Sequence, residues 1–148
     1  MEAVNSNQQT ILLVEDDPSD IAFAHAACEL CNPPIHLVVV DDSIEALAWL
    51  SHNAQNLLPS LILLDLKLPK LSGLAVLRRL RMEASTADLP IIVFSEISEQ
   101  SDVLLSYQIG ANSFVNKPTD INQYHELLRE LVSYWLQSRP TPSTLAAK

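Results

Sequence analysis

The sequence predicts an α/β fold, a doubly wound five-stranded parallel sheet with five helices, and three observations predict it. Runs of β-forming residues at 11–14, 35–40, 61–64, 91–94 and 113–116 alternate with segments of helical character. The runs at 11–14, 61–64 and 91–94 are apolar throughout, which is the pattern of strands covered on both faces. Four of the five end in a reactive side chain: Glu15-Asp16-Asp17, Asp65, Ser95 and Lys117. In open α/β sheets a binding site lies beyond the carboxyl ends of the strands, so these four chemistries are expected to converge.

Each element has its own warrant. Asp17-Pro18-Ser19-Asp20 places an acid at a helix cap, proline at the first position and an acid in the first turn, starting a helix over 18–31. Asn32-Pro33-Pro34 stops that helix, and the second strand occupies 35–40. Asp41-Asp42-Ser43 caps a helix over Ile44, Leu47, Ala48 and Leu50. After the third strand, Leu66-Lys67-Leu68-Pro69 is a loop broken by proline, followed by a helix bearing Leu74, Leu77 and Leu80. The fourth strand begins after Pro90, Ser98 caps a helix running to Ile109, and Gly110 supplies a left-handed stop. Asp120, with Gln123 three residues on, opens a last helix in which Ile121, Tyr124, Leu128, Leu131 and Trp135 recur at spacings of three and four. Right-handed crossovers with helices on both faces most simply give the flavodoxin-like order 2-1-3-4-5, which sets Glu15 and Asp16 beside Asp65.

The chain of 148 residues, 48% of them hydrophobic, fits one domain over 10–137, between a flexible N-terminus at 1–9 and a disordered tail at 138–148 rich in proline, serine and threonine. A net charge of −9 and an isoelectric point near 4.7 repel nucleic acid and anionic membranes. No segment approaches the ~20 apolar residues of a membrane span, and a cytoplasmic protein is expected. Cys28 and Cys31 sit late in a helix with no second cysteine pair in the sequence, so they read as core thiols rather than a redox pair. His25, His36, His52 and His125 lack metal-ligand spacing, and Arg78, Arg79 and Arg81 read as a solvated face. Tyr124, Tyr134, Trp135 and Leu136 fit either core packing or a homodimer contact.

Several carboxylates at one strand edge repel one another, and a hard divalent cation removes that cost. Mg²⁺ takes octahedral oxygen coordination and is commonly held by one or two carboxylates plus phosphate oxygens. Asp65 is then a metal ligand, a nucleophile toward phosphorus, or both. Ser95 and Lys117 offer a hydroxyl and an ammonium to the remaining phosphoryl oxygens. Taken singly, Ser95 can merely end a strand, Lys117 can form a buried ion pair with Asp65, and Glu15 to Asp17 can merely cap a helix.

In the order and spacing of ILLVEDD, LILLDLKLP followed by SG, IIVFS and FVNKP, the chain resembles the receiver domain of two-component response regulators. The resemblance implies that Asp65 is the phosphoacceptor, Ser95 and Phe114 the hydroxyl and aromatic switch residues, and Lys117 the conserved lysine of the family. It further implies Mg²⁺ held directly by Asp16, through water by Glu15, and by Asp65 and the backbone carbonyl of Lys67. The Lys117-Pro118 bond is expected to be cis, as in the family. Ser43 and Ser72 depart from the glycine and aspartate frequent there, and Lys67 flanks the path of a water attacking the acyl phosphate. The long last helix and the Glu-Asp-Asp triplet are similar to single-domain regulators that partner cyanobacterial phytochrome kinases.

The resemblance implies a regulator rather than an enzyme, one that receives phosphate from a sensor histidine kinase or a phosphotransfer protein and signals to a downstream protein target. The rival reading is an aspartate-nucleophile phosphohydrolase. Such hydrolases carry a second acid two residues beyond the nucleophile, where this chain has Lys67, and place their acidic pair after the lysine. A flavin module of the same fold needs a glycine- and hydroxyl-rich first loop, and only Gly73 and Gly110 occur here.

Overall fold

The computed structural model describes residues 9–55, 57–96 and 99–138, of which Gln137 and Ser138 are described in backbone only. Strands β1 (Thr10–Val14), β2 (His36–Val40), β3 (Leu61–Leu64), β4 (Ile91–Ser95) and β5 (Ser113–Asn116) form one parallel sheet in the order β2-β1-β3-β4-β5. Helices α1 (Pro18–Leu30), α2 (Ser43–His52), α3 (Gly73–Met82), α4 (Gln100–Ile109) and α5 (Ile121–Val132) fill the crossovers and the end of the chain. The expected class, strand order and helix number are all met.

The register explains why the strands are apolar on both sides. Leu12 pairs with Val38 and Ile62, and Leu13 with Val39 and Leu63, so neighbouring strands keep the same residues on the same face. Ile11, Leu13, Leu61, Leu63, Ile92 and Phe94 pack with Ala24, Cys28, Tyr124 and Leu128 on the α1 and α5 side. Leu12, Val14, Ile62, Leu64 and Val93 pack with Ala46, Leu50, Val76, Leu77 and Leu80 on the α2 and α3 side. Each fully buried Leu or Ile contributes roughly 1.5–3 kcal/mol, so this alternation fixes register and topology together.

Capping by acids is observed at three of the expected positions. Asp17 accepts from the Ser19 and Asp20 amides at 2.8 and 3.4 Å, Asp42 from Glu45 at 2.7 Å, and Asp120 from Gln123 at 3.1 Å. Ser98, expected to cap α4, lies outside the described residues; Glu99 precedes the helix and makes no side-chain capping bond. Gly110 ends α4 at φ 130°, as the expected left-handed stop requires. The stretches 1–8 and 139–148, on which most of the expected flexible ends fall, also lie outside the described residues.

Three differences from expectation have physical reasons. α2 turns Ser43, Ala46 and Leu50 inward and leaves Ile44 exposed, because Ser43 is bonded to the Pro69 carbonyl and the Leu71 amide and so fixes which side of the helix faces in. Arg81 is no solvated residue: it donates to the carbonyls of Gly110, Thr86 and Ala87 and to the Asn112 side chain at 2.7–3.1 Å, tying α3 to the loops around β4 and β5. α5 continues into a π-helical turn, Ser133–Ser138, which lays Trp135 and Leu136 half-buried on the core and leaves Tyr134 exposed. The Leu136 carbonyl of that turn accepts from Gln9.

Candidate functional site

At the carboxyl edge of the sheet, β1 delivers Glu15, β3 Asp65, β4 Ser95 and β5 Lys117, all buried, with Asp16 exposed at the rim. Carboxylate oxygens of Glu15, Asp16 and Asp65 lie within 4.8 Å of one another. The Ser95 hydroxyl donates to Asp65 Oδ1 at 2.9 Å. Lys117 Nζ donates to Asp65 Oδ2 at 3.3 Å, to Asp20 Oδ2 at 3.0 Å and to Glu15 Oε1. The Lys67 amide donates to Asp65 Oδ1 at 3.2 Å, and the residue is part of the pocket lining. Glu15 Oε2 accepts from the amides of Asp16 and Asp17, which holds the acidic turn after β1 in place.

The expected cis bond at Lys117-Pro118 is not found; among the described residues only Asn32-Pro33 is cis. The ammonium is aimed inward by other means. The Lys117 amide donates to the Ser95 carbonyl at 2.7 Å, extending the β4–β5 ladder by one residue, and three carboxylates then draw the side chain into the pocket. Phe114 stands apart from the cluster. It is half-buried against the α2 and α3 core, and its amide donates to the Tyr107 hydroxyl at 3.0 Å.

Two supporting features were not expected from sequence. Asp20 is 7% exposed and bonds Lys117 directly, whereas the sequence assigned it only to the first turn of α1. Its signal was present, since Asp20, Ala24, Ala27 and Cys28 share the inward stripe of α1 and Asp20 is the one charged residue on it. Ser43, fully buried, donates to the Pro69 carbonyl and accepts from the Leu71 amide, bracing the loop that follows Asp65. Gly73 completes that brace. A β-carbon there would stand 2.2 Å from the Asp65 carbonyl oxygen, so only glycine lets α3 begin against the backbone of the site.

Electrostatics make the cluster strained as an all-protein arrangement. Burial raises the pKa of Glu15, Lys117 opposes this, and the charge of Asp65 adds to the rise. Burial likewise raises Asp20 against the lowering by Lys117. For Lys117, burial disfavours the ammonium, but its bond to Glu15 and the charges of Asp65 and Glu15 outweigh burial and hold its pKa above the ordinary value. One buried ammonium thus pairs with Glu15, Asp20 and Asp65 while Asp16 adds a fourth carboxylate at the rim, an excess of negative charge into which an oxygen-seeking divalent cation fits.

A model of the response regulator receiver domain family matches residues 11–129. The chain belongs to that family, which decides between the receiver and phosphohydrolase readings. The response regulator Rcp1 of Synechocystis sp. is 27% identical over 138 residues, 91% of this chain and 94% of Rcp1. The crystal structure of its Mn²⁺-bound form superposes with a TM-score of 0.82, covering 90% of this chain and 99% of that one. The phosphorylated cyanobacterial phytochrome response regulator RcpA, 30% identical, gives a TM-score of 0.86 over 91% of this chain and 99% of RcpA. Against the DNA-binding transcriptional regulator RpaA of Synechocystis sp., 31% identical, the chain spans only 48% of the relative's length.

Proposed function

We propose that this receiver takes a phosphoryl group from a phosphohistidine onto Asp65. The observation that carries the reading is the meeting of Asp65 with Ser95 and Lys117 at 2.9 and 3.3 Å beside the acids of β1. An Asp65 carboxylate oxygen attacks phosphorus, the P–N bond breaks, and the imidazole leaves with the electron pair and takes up a proton. Lys117 and the Ser95 hydroxyl bind the phosphoryl oxygens, and Lys117 offsets charge building toward Asp65 in the transition state. Mg²⁺, when bound by Asp16, Glu15, Asp65 and the Lys67 carbonyl, supplies charge neutralisation for the transferring group.

Once Asp65 carries the acyl phosphate, Ser95 moves toward the phosphoryl group and Phe114 turns into the space it leaves, reshaping the face around α4, β5 and α5. With no hydroxyl on Phe114, the ring needs no polar partner when buried. The donor is a sensor histidine kinase or a phosphotransfer protein; the likeness to the phytochrome response regulator RcpA favours a phytochrome kinase. A downstream protein reads the altered face in the cytoplasm. Among the described residues no helix is long and apolar enough to cross a membrane.

Incubation with acetyl phosphate and Mg²⁺, followed by intact mass, tests the acceptor. One phosphoryl adduct is expected on the native chain and none on Asp65→Asn; an adduct persisting in the variant places the acceptor elsewhere. Homodimerisation, the second reading of the aromatic end of the last helix, rests on Tyr134, since Trp135 and Leu136 lie on the core. A dimer mass in light scattering that falls to a monomer mass in Tyr134→Ala supports it, and one monomer mass for both proteins removes it.

A further inference from the structure

Helix α4 buries only Ser106, although it carries Val103, Leu104, Leu105, Tyr107 and Ile109. A helix docked this shallowly leaves apolar surface without a partner: Leu104 is 56% exposed and Leu105 37%. On the side facing α3, Leu105, Gln108 and Ile109 line an open groove of about 340 Å³ opposite Arg78, Arg81 and Met82. Both sets recur at i, i+3, i+4, so the groove runs along two helices as a trough. Met82, at 77% exposed, is the most open large hydrophobic side chain among the described residues.

Charge distinguishes this trough from the rest of the surface. The chain has 18 acidic and 9 basic residues, yet the groove lining contains two arginines and no acid. Arg81 is committed to its carbonyl and Asn112 acceptors. Arg78 is exposed and makes no ion pair among the described residues. The groove therefore offers apolar contact together with an uncommitted cation, on a molecule that elsewhere repels acidic partners.

We propose that the α3–α4 groove docks an acidic amphipathic helix of a protein partner. Its apolar stripe lies along Met82, Leu105 and Ile109, and a carboxylate pairs with Arg78. A trough between two helices accepts a third as ridges into grooves, and anchors at i, i+3, i+4 and i+7 match its stripes. A basic helix would gain the same apolar contact but meet Arg78 with like charge. The proposal does not depend on phosphorylation of Asp65, and its test uses the unmodified chain.

The probe is a synthetic capped helix of about five turns, with leucine at i, i+3, i+4 and i+7 and glutamate elsewhere, set against a twin with lysine for glutamate. Titration into the isotope-labelled full chain is expected to shift the amides of Met82, Leu105 and Gln108 with the glutamate helix and to leave them with the lysine helix. Arg78→Glu and Met82→Ser should each weaken binding about tenfold. Arg79→Glu, the same charge change on a residue that lines the α2–α3 side instead, should stay within about twofold of native. The proposal is overturned if neither helix binds, if the lysine helix binds equally well, or if Arg78→Glu and Arg79→Glu weaken binding alike. It is also overturned if the shifts fall outside the groove, or if dilution of the free chain alone moves the same amides, which would seat a second copy there.

Discussion

Among the described residues Lys117 is the one cation paired with the three buried carboxylates, and its loss leaves Glu15, Asp20 and Asp65 facing one another. Lys117→Ala is expected to lower stability by about 3–5 kcal/mol in metal-free buffer, since breaking a buried pair strands its partners. Part of that loss should return on adding Mg²⁺, and urea melts with and without the ion measure it; equal losses in both buffers would count against a cation site. Cys28 gives a pH signature of a different kind. Burial pushes its thiol from 9.0 up to about 12, so the unfolded chain releases this proton first and the native state holds more protons between those values. Stability contributed by the neutral thiol is therefore full below pH 9 and falls as pH rises toward 12, by up to about 1.4 kcal/mol per unit. Urea midpoints of the native chain and Cys28→Ala, compared from pH 8.5 to 10.5, should diverge in slope, with the native chain the steeper. Residue identities at the strand ends were legible because each closes a run of β-forming residues; the inward aim of Asp20 was written only in its place on the α1 stripe of Ala24, Ala27 and Cys28, where its first-turn position alone suggests a capping acid.

Helix boundaries were legible where a side chain encodes them. Asp17, Asp42 and Asp120 announce α1, α2 and α5 by the bonds they make, and Gly110 announces the end of α4 by its φ. What local sequence does not encode is a partner far along the chain. Arg81 finds acceptors up to 31 residues away, and Ser43 bonds residues 26 and 28 positions on, so both read as ordinary helix residues until the fold brings the loops together. The trans Lys117-Pro118 bond belongs here too, since the family habit of a cis bond is a statement about a turn and the inward ammonium needs only the strand and three carboxylates. Arg81→Met keeps the aliphatic stem but leaves those carbonyls and Asn112 without their donor, with an expected loss of about 2–3 kcal/mol. Arg79→Met, exposed on the same helix, should change stability by less than about 0.5 kcal/mol. Thermal melts of the two variants separate a structural clamp from a surface charge, and equal melting points would refute the clamp.

Across the whole molecule, the faces of the sheet hold the core and its carboxyl edge holds the site. Packing on both sides fixes strand order, and strand order alone puts acids from β1, an aspartate from β3, a hydroxyl from β4 and an ammonium from β5 within bonding distance. That much followed from the sequence, because alternation of strands and helices with right-handed crossovers leaves few topologies. The groove between α3 and α4 did not, because it depends on how shallowly α4 docks, which no single run of residues reports. The acid pocket is expected to take a divalent ion and a phosphoryl group together. Isothermal titration of beryllofluoride into the full chain tests it directly: saturable binding at one site with Mg²⁺ present, and none with Mg²⁺ withheld or in Asp65→Asn, is the predicted result. Equal beryllofluoride binding with and without Mg²⁺, or binding retained in Asp65→Asn, would contradict it.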